Sequence, residues 1–447
     1  MSFPKYPEYK DSGIEWLGEI PSHWNISRFK QVFKERNERS PDGLETLLSV
    51  SAYTGVRPRS EIVEEGEYLS RAESLEGYKI CHPGDLVMNI MLAWNRGLGF
   101  TTFNGIVSPA YCVFEKIDNS DCKFLDYLVR SDECTGYFKA FSTGVIESRL
   151  RLYPEIFGQL YASIPPLAEQ SAIAVFLDRE TAKIDALVAE QEKLIELLKE
   201  KRRAVISHAV TKGLDPNVPM KDSGVEWLGE VPEHWAVSPL RRLLVSIEQG
   251  SSPQSESSPA PPGEPAIIKL SAIKNGHFDA TESKALASMQ SIDPRYEVRV
   301  NDLLVTRANT LDLVGASCIV HSNIPEKLFL PDLVYRLSLR SELTPQFLNY
   351  FFQSSSARSQ ISADARGSSM TMAKISQGHI KCWWVTLPPR AEQDQITGYL
   401  EGENRQFDEL MVEAQRAIDL LKERRSALIS AAVTGKIDVR GLAEATQ

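Results

Sequence analysis

The sequence has few cysteines and no long apolar run. Its 447 residues include six cysteines, none in a Cys-x-x-Cys pair and none at zinc-finger spacing from a histidine. We therefore expect free, buried thiols in a reducing compartment. No apolar stretch approaches the roughly 20 residues that span a membrane, and the start, Met1-Ser-Phe-Pro-Lys-Tyr-Pro, has no apolar signal region. These absences predict a soluble cytoplasmic protein that does not bind membranes.

The sequence also lacks an excess of positive charge. Lysine and arginine number 50 against 60 aspartates and glutamates, which gives a net charge of −10. Bulk charge therefore does not favour nucleic acid, and any contact with DNA has to come from local basic patches or a basic partner. With 42% hydrophobic and 25% charged residues, the composition is that of a globular protein of two to four domains.

Recognisable catalytic motifs are missing as well. The chain has no Asn/Asp-Pro-Pro-Tyr/Phe tetrapeptide of amino-methyltransferases, no Gly-x-x-x-x-Gly-Lys-Ser/Thr, no Gly-x-Ser-x-Gly and no His-Glu-x-x-His. His23 and His234 each precede a tryptophan in a Pro-x-His-Trp sequence, for which we expect a structural corner and not acid–base catalysis. The sequence thus predicts that the chain is not an enzyme and binds no metal.

The strongest positive feature is an internal duplication. Residues 10–24 and 221–235 are identical at twelve of fifteen positions and share Asp-Ser-Gly-x-Glu-Trp-Leu-Gly-Glu-x-Pro-x-His-Trp. Farther on, residues 165–170 and 388–393 share Pro-Pro-x-Ala-Glu-Gln, and this alignment continues for over forty residues. The offset grows from 211 to 223, so the second variable block is 12 residues longer. The pattern predicts a pseudo-two-fold protein in which a variable block and a long helix occur twice.

Each duplicated segment has the pattern of a long helix. Residues 168–210 contain no proline or glycine, and residues 391–433 contain only two glycines, near the start. Forty-odd helical residues form a rod of about 60 Å. The predicted heptad seam comprises Leu177, Ile184, Gln191, Leu198 and Val205 with Val188, Ile195 and Ala209 in the first helix, and Leu400, Phe407, Ala414, Leu421 and Leu428 with Met411, Ile418 and Ala432 in the second. We expect the two helices to pair, although each packing on its own domain is the alternative.

The variable blocks alternate apolar, strand-like runs with turn residues, which predicts mixed α/β domains rich in strands. Gly84-Asp-Leu-Val and Asn301-Asp-Leu-Leu are matching examples of a turn that enters a strand. Loops near these strands carry side chains that suit DNA, because arginine can bind guanine, asparagine can bind adenine and the threonine methyl can contact thymine. Arginine and asparagine are common on any surface, so ordinary surface roles remain the alternative. The candidate DNA-binding residues are Tyr53, Arg57, Arg59, Asn89, Trp94, Asn95, Arg96 and Arg149 in the first block, and Lys269, Lys274, Asn275, Thr306, Arg307, Asn309, Thr310, Arg366, Ser368 and Ser369 in the second.

The doubled motifs and the doubled helix ending in Lys-Glu-Lys/Arg-Arg resemble the specificity subunits of Type I restriction–modification systems. The resemblance covers nearly the whole chain. It implies two mixed α/β (α+β) target-recognition domains separated by two long helices in an antiparallel coiled coil. The implied boundaries are 1–165 and 213–388 for the domains, 166–212 and 389–436 for the helices, and 437–447 for a C-terminal tail.

The same resemblance implies a non-catalytic subunit in a prokaryotic cytoplasm that reads a bipartite site in double-stranded DNA. Its partners would be two methylation subunits and two restriction (motor-nuclease) subunits. This chain would bind no cofactor: S-adenosylmethionine is expected in the methylation subunit, and ATP and Mg²⁺ in the motor-nuclease subunit. Two other functions stay open, a coiled-coil spacer or scaffold without DNA readout and a stand-alone DNA-modifying enzyme.

Overall fold

The fold is described from a computed structural model of the chain. The structure describes residues 3–52, 54–62, 74–144, 146, 150–253, 255, 258, 260–261, 263–274, 276–286, 293–321, 324–365 and 372–443. The chain divides into two compact units. The first unit comprises residues 1–192 and 416–447, and the second unit comprises residues 193–415. The first unit therefore combines both ends of the chain.

Short strands and helices alternate along both halves of the chain. The first half contains β1 (Tyr9–Asp11), β2 (Glu19–Pro21), β3 (Asn25–Arg28), α1 (Phe29–Val32), β4 (Phe33–Arg36), β5 (Leu48–Ser51), β6 (Gly55–Pro58), β7 (Lys79–Cys81), β8 (Leu86–Asn89), β9 (Leu98–Phe100), β10 (Gly105–Val107), β11 (Tyr111–Lys116), α2 (Cys122–Val129), α3 (Asp132–Ala140), α4 (Pro154–Gln159), β12 (Tyr161–Ile164) and α5 (Leu167–Lys212). The second half contains β13 (Met220–Asp222), β14 (Glu230–Pro232), β15 (Ala236–Pro239), β16 (Leu244–Gln249), β17 (Ala266–Ile268), β18 (Ile273–Lys274), β19 (His277–Phe278), β20 (Ser283–Ala285), β21 (Leu303–Thr306), β22 (Ala308–Asn309), β23 (Ser317–Ile319), β24 (Leu328–Phe329), β25 (Val334–Leu339), α6 (Pro345–Gln353), α7 (Ser355–Asp364), β26 (Ala373–Lys374), α8 (Gln377–Cys382), β27 (Trp384–Leu387), α9 (Arg390–Val433) and α10 (Arg440–Ala443).

A four-stranded antiparallel sheet in the order β4-β11-β8-β9 forms the centre of the first unit. Successive side chains of a strand point to opposite faces, and here both faces are buried. Leu86 and Met88 of β8 enter the main hydrophobic core, whereas Val87 enters a smaller core under the β5–β6 hairpin. The sheet therefore holds this hairpin on one face and the helices on the other.

The second unit repeats this sheet in the order β16-β25-β21-β23. Leu303 and Val305 of β21 enter the larger core, whereas Leu304 enters a smaller one. The second unit adds a three-stranded sheet, β20-β17-β24, that contains a parallel pair. The mixed α/β fold and its duplication are thus confirmed even where the two sequences diverge.

The predicted turns before β8 and β21 are confirmed. Asn301 adopts a left-handed backbone, with φ of 70°, at the first position of the second turn. In both turns the aspartate accepts a backbone N–H three residues earlier and a guanidinium N–H. Arg36 Nε lies 3.1 Å from Asp85 Oδ2, and Arg336 Nη1 lies 3.0 Å from Asp302 Oδ2. The aspartate is the constant element, while the arginine comes from β4 in one unit and from β25 in the other.

The two long helices are confirmed as α5, of 46 residues, and α9, of 44 residues. Their predicted seam is largely buried, because apolar positions at heptad spacing lie on one side of a helix. The buried seam residues are Leu177, Ile184, Leu198, Ala209, Leu400, Phe407, Ala414, Ile418, Leu428 and Ala432. Among the described residues, no helix is both long and apolar enough to cross a membrane.

Ion pairs within each unit give the direction of helix pairing. In the first unit Arg425 Nε lies 2.9 Å from Asp185 Oδ1, and in the second unit Arg202 Nη2 lies 2.5 Å from Asp408 Oδ1. Moving 17 residues forward along α5 thus corresponds to moving 17 residues back along α9, so the helices run antiparallel. At the offset of 223, each pair is the duplicate of the other with the two helices exchanged.

The repeated motifs meet at the start of each long helix. In the first unit Glu169 of α5 is 5% exposed and accepts hydrogen bonds from Trp24 Nε1, at 2.8 Å, and from the hydroxyl of Tyr6. His23 Nε2 lies 2.8 Å from the same carboxylate. In the second unit Glu392 is paired with His234 at 2.9 Å. The Pro-x-His-Trp corner is therefore structural, and its partner is the glutamate of Pro-Pro-x-Ala-Glu-Gln.

The glutamine of the same motif joins each long helix to a neighbouring helix. Gln170 Oε1 accepts the backbone N–H of Asp121, which is the N-cap residue of α2. Gln393 Oε1 accepts the backbone N–H of Thr344, which is the N-cap residue of α6. The duplicated glutamate and glutamine thus attach the variable domain of each unit to the helix start.

Candidate nucleic-acid interface

The β5–β6 hairpin presents basic side chains on the first unit. Arg57 is exposed, whereas Val56 and Pro58 on either side of it are buried. Strand alternation explains this arrangement, because the buried neighbours fill the small core while Arg57 points to solvent. Arg59 follows β6 and is half-buried. The hairpin therefore carries one solvent-exposed arginine and one half-buried arginine.

Arg59 lies beside the phenol of Tyr111. Burial raises the pKa of Tyr111, although Arg59 and a hydrogen bond with Asn89 act in the opposite direction. Arg59 Nε is buried and has no hydrogen-bond partner in the described part of the chain. Asn89 is only 5% exposed, and its Oδ1 accepts the backbone N–H of Met91 at 3.1 Å. The prediction of a DNA-facing Asn89 is therefore dropped, because its side chain supports the strand end.

The loop after β8 packs on α3. Trp94 is half-buried; its Nε1 donates to the carbonyl of Met91 at 2.9 Å, and Lys139 Nζ lies 5.2 Å from the ring centroid. Arg96 has φ of 57° and forms an ion pair with Asp132. Asn95 is exposed. The structure thus fixes Trp94 and Arg96 against the domain and leaves Asn95 accessible.

Arg130, at the end of α2, supports the first hairpin. Its Nη2 donates to the carbonyl of Ala52 at 2.9 Å. Gly55 in the hairpin has φ of 71°, and a Cβ at this position would lie 2.8 Å from Arg130 Nη1. Only glycine combines this backbone with so close an approach. Burial raises the pKa of the neighbouring Asp126, while Arg130 lowers it.

The β18–β19 hairpin occupies the equivalent place in the second unit. Lys274 and His277 are both exposed on either side of its turn. Gly276 has φ of 88°, and a Cβ there would lie 2.5 Å from Gln353 Nε2. Gln353, at the end of α6, is therefore the counterpart of Arg130 at the end of α2. In both units a polar side chain from the end of a helix lies close to the hairpin glycine, and both hairpins present basic groups to solvent.

The other candidates of the second unit differ in accessibility. Arg307 is half-buried and acts on Tyr335, whose pKa is raised chiefly by burial and lowered by Arg307. Lys269 Nζ lies 3.6 Å from Glu282, so part of its charge is neutralised. Thr306 is 0% exposed, and its hydroxyl donates to the carbonyl of Leu313 at 2.8 Å. Thr306 is therefore removed from the candidate interface.

Asn309 and Thr310 lie just beyond β21 and stay among the candidates. Asn309 Oδ1 accepts the backbone N–H of Thr310 at 2.9 Å, and Thr310 is exposed. Six further candidates lie outside the described residues: Tyr53, Arg149, Asn275, Arg366, Ser368 and Ser369.

Two residues beside the hairpins, Arg130 and Gln353, could not be predicted from local sequence. Arg130 and Gln353 differ in type and sit in ordinary amphipathic helices, so no local motif marks them. They are nevertheless separated by 223 residues, the offset of the second duplicated segment. Extending that alignment back through the variable blocks would have paired them.

The described residues hold no group of three or more histidines, cysteines, aspartates or glutamates that could bind a metal ion. Burial is the main cause that raises the pKa of Cys81 to about 12 and of Cys112 to about 11, so both thiols stay protonated at neutral pH. A protonated thiol is a poor nucleophile.

Comparison with known proteins agrees with the duplicated arrangement of a variable domain followed by a long helix. No protein-family model matches the chain. The chain is 26% identical over 348 residues to the Type I restriction enzyme EcoKI specificity subunit of Escherichia coli strain K12, which covers 77% of this chain and 70% of that protein. It is 24% identical over 390 residues to the EcoBI specificity subunit of Escherichia coli, which covers 83% of this chain and 77% of that protein.

A solved structure described as the basis of complex assembly and conformational transition of the type I R-M system gives a TM-score of 0.69 at 17% identity. The match covers 93% of this chain and 98% of that one, which shows a shared fold over nearly the full length. With its doubled motifs and its two matched long helices, the chain is similar over most of its length to the specificity subunits of Type I restriction enzymes.

Proposed function

We propose that this chain is the non-catalytic DNA-specificity subunit of a Type I restriction–modification complex, with each unit reading one half of a bipartite site. The observation that carries the proposal is the pair of equivalent hairpins. They lie on matching sheets, rest on equivalent side chains and differ in the groups that they expose. Arg57 stands in one hairpin, whereas Lys274 and His277 stand in the other. Supports at equivalent positions combined with different exposed groups suit two readers of different half-sites.

Charge agrees with a reader that works within a complex. Phosphate contacts dominate the affinity of most DNA-binding proteins, and an isolated reader is usually basic. This chain carries a net charge of −10, so much of the phosphate contact has to come from its partners. S-adenosylmethionine belongs in this proposal to the methylation subunits, and ATP with Mg²⁺ to the motor-nuclease subunits.

The matched leucines on the long helices support a docking role toward the methylation subunits. Leu187 is 45% exposed and its duplicate Leu410 is 48% exposed; Leu197 is 51% exposed and its duplicate Leu420 is 65% exposed. Because these exposed leucines recur at equivalent positions of both helices, we propose that they form two equivalent partner contacts. Two contacts of this kind suit two copies of one partner.

The hairpins are tested by DNA competition with the complex of this chain and its methylation subunits. Arg57→Ala should weaken discrimination at one half-site, and Lys274→Ala at the other, by about 1–3 kcal/mol for a residue that binds guanine directly. Lys5→Ala is the control, because Lys5 is exposed and lies outside both hairpins. If neither hairpin variant changes discrimination, the hairpins are not the readers. If the unmodified complex binds scrambled DNA as tightly as the specific site, a scaffold without DNA readout is favoured.

The docking role has a separate test. The double variant Leu187→Ser/Leu410→Ser should lose co-elution with the methylation subunit in size-exclusion chromatography. Leu44→Ser is the matched control, since Leu44 is 84% exposed and is not part of either long helix. Equal loss in the control, or no loss in the double variant, would contradict docking at these leucines.

A further inference from the structure

The first unit contains an acidic cleft between α3 and the end of α9. The cleft has a volume of about 470 Å³ and is open to solvent. The N-terminal turn of α3 contributes Asp132 and Glu133, and the last turns of α9 contribute Glu423 and Ser430. Lys436 completes the lining together with Ser426, Ala427 and Ala431.

Two polar atoms of this cleft are buried without a partner in the described part of the chain. Ser430 is 6% exposed, and its Oγ forms no hydrogen bond. Glu133 Oε2 is also buried and unpaired. A buried polar atom without a partner costs about 1–3 kcal/mol, so such atoms are rare unless a ligand or water completes them. Both residues line the cleft, and both oxygens are able to accept a hydrogen bond from a donor that reaches them there.

The carboxylates of the cleft favour a positively charged ligand. Asp132 is already bound by Arg96 and by the hydroxyl of Ser426. Glu133 Oε1 lies 4.0 Å from Lys436 Nζ, which is a weak pair at the limit of contact. Glu423 adds a further carboxylate. A cationic group with several N–H donors would complete both unpaired acceptors and also neutralise carboxylate charge.

The second unit provides an internal comparison. At the offset of 223, Ser430 corresponds to Ser207, and Asp132 and Glu133 correspond to Ser355 and Ser356. Ser207 Oγ accepts the backbone N–H of Ser355 at 2.9 Å, so the equivalent hydroxyl is satisfied within the protein. Replacing two serines by acidic residues and leaving the hydroxyl unpaired distinguishes the first unit. If Ser430 and Ser207 had the same structural role, the serine hydroxyl would be hydrogen-bonded within the protein in both units.

We infer that the cleft between α3 and the end of α9 is a binding site for an alkylammonium or guanidinium group. Glu133 Oε2 and Ser430 Oγ accept its N–H donors, and Glu423 supplies further negative charge. The group can come from a free polyamine or from a lysine or arginine side chain of a methylation subunit. The free-amine source is independent of the proposed function, whereas the side-chain source rests on it.

The free-amine source is tested by calorimetric titration of the full chain with spermidine and with agmatine. Saturable binding should appear and should weaken about tenfold in Glu133→Gln, which corresponds to the loss of one charge-assisted contact of about 1.4 kcal/mol. Ser430→Ala should weaken it several-fold and leave the melting temperature unchanged or raised. The control Glu200→Gln changes the duplicate of Glu423 in the second unit and should leave binding unchanged.

The side-chain source is tested by titrating the methylation subunit into the same variants. Glu133→Gln and Ser430→Ala should weaken that association several-fold, while Ser207→Ala should not. Binding in either experiment, with loss in the cleft variants alone, supports the site and identifies its source. If neither amine binds and the cleft variants bind the methylation subunit as the unmodified chain does, the inference is overturned while the DNA-reading proposal stands.

Discussion

The glutamate at the start of α5 should be worth far more to stability than its duplicate at the start of α9. Glu169 is 5% exposed and has three side-chain partners: Tyr6, His23 and Trp24. Glu392 is 25% exposed and is paired with His234. Trp235 Nε1, the duplicate of the bonded Trp24 atom, is buried without a hydrogen-bond partner in the described chain.

The magnitude follows from what each substitution leaves behind. Glu169→Ala removes a buried acceptor and leaves the donors of Tyr6 and Trp24 unsatisfied, at about 1–3 kcal/mol each. A loss of about 2–6 kcal/mol is therefore expected in the first unit. Glu392→Ala removes one partly exposed ion pair, which is worth about 0–1 kcal/mol. The duplication thus supplies a matched pair of variants with the same chemistry and different burial.

Hydrogen exchange followed by mass spectrometry suits this test, because it reports each segment separately and does not require two-state unfolding of the whole chain. Glu169→Ala should accelerate exchange around residues 19–28 by about thirtyfold or more, since each 1.4 kcal/mol corresponds to a factor of ten. Glu392→Ala should change exchange around residues 230–239 less than about fivefold. Equal effects of the two variants would refute the argument from burial and hydrogen-bond count.

Three further outcomes are expected. Hydrogen bonds from Arg440 lower the pKa of Asp438. This pair therefore stabilises the fold above the unfolded-state pKa of about 3.9, and its contribution is lost as the pH falls below that value. Acid unfolding of Asp438→Asn should accordingly depend less on pH than that of the unmodified chain. Arg130→Ala should loosen the first hairpin and reduce recognition of one half-site while Gln353→Ala affects the other, as DNA competition with the two half-sites scrambled in turn would show; an effect of either variant on both half-sites would contradict independent support. A seven-residue insertion in each long helix, after Leu198 and after its duplicate Leu421, keeps the heptad phase and adds about 10 Å to each helix. The spacer of the methylated motif should then lengthen by about three base pairs, whereas a four-residue insertion should impair folding. An unchanged spacer after the seven-residue insertion would show that the helices do not set the spacer.

The duplicated frame could be predicted because its sequence is repeated. The two helices were predicted from long runs without proline and with few glycines, and from apolar residues at heptad spacing. The buried Leu177, Ile184 and Phe407 lie on the predicted seam. The structural corner at His23 was also predicted. Its partner Glu169 was not, because 146 residues separate the two and only the fold brings them together.

The candidate interface was harder to predict, since exposure depends on strand register. Thr306 and Arg307 are neighbours in sequence, yet one is fully buried and the other is half-buried. Residue type alone made both of them candidates. Arg130 and Gln353 were missed for the opposite reason, because they act from helices and carry no motif. The domain boundaries proposed at residues 165 and 388 stay a proposal.

The central claim is that each variable block reads its own half-site. The most direct measurement is to sequence the methylated motifs of cells that express this chain with its methylation subunit, before and after residues 25–160 are replaced by the equivalent block of a relative. The account predicts a bipartite motif in which the exchange changes one half and keeps the other, and no DNA methylation by the purified chain alone. A change in both halves, or methylation by the isolated chain, would contradict it.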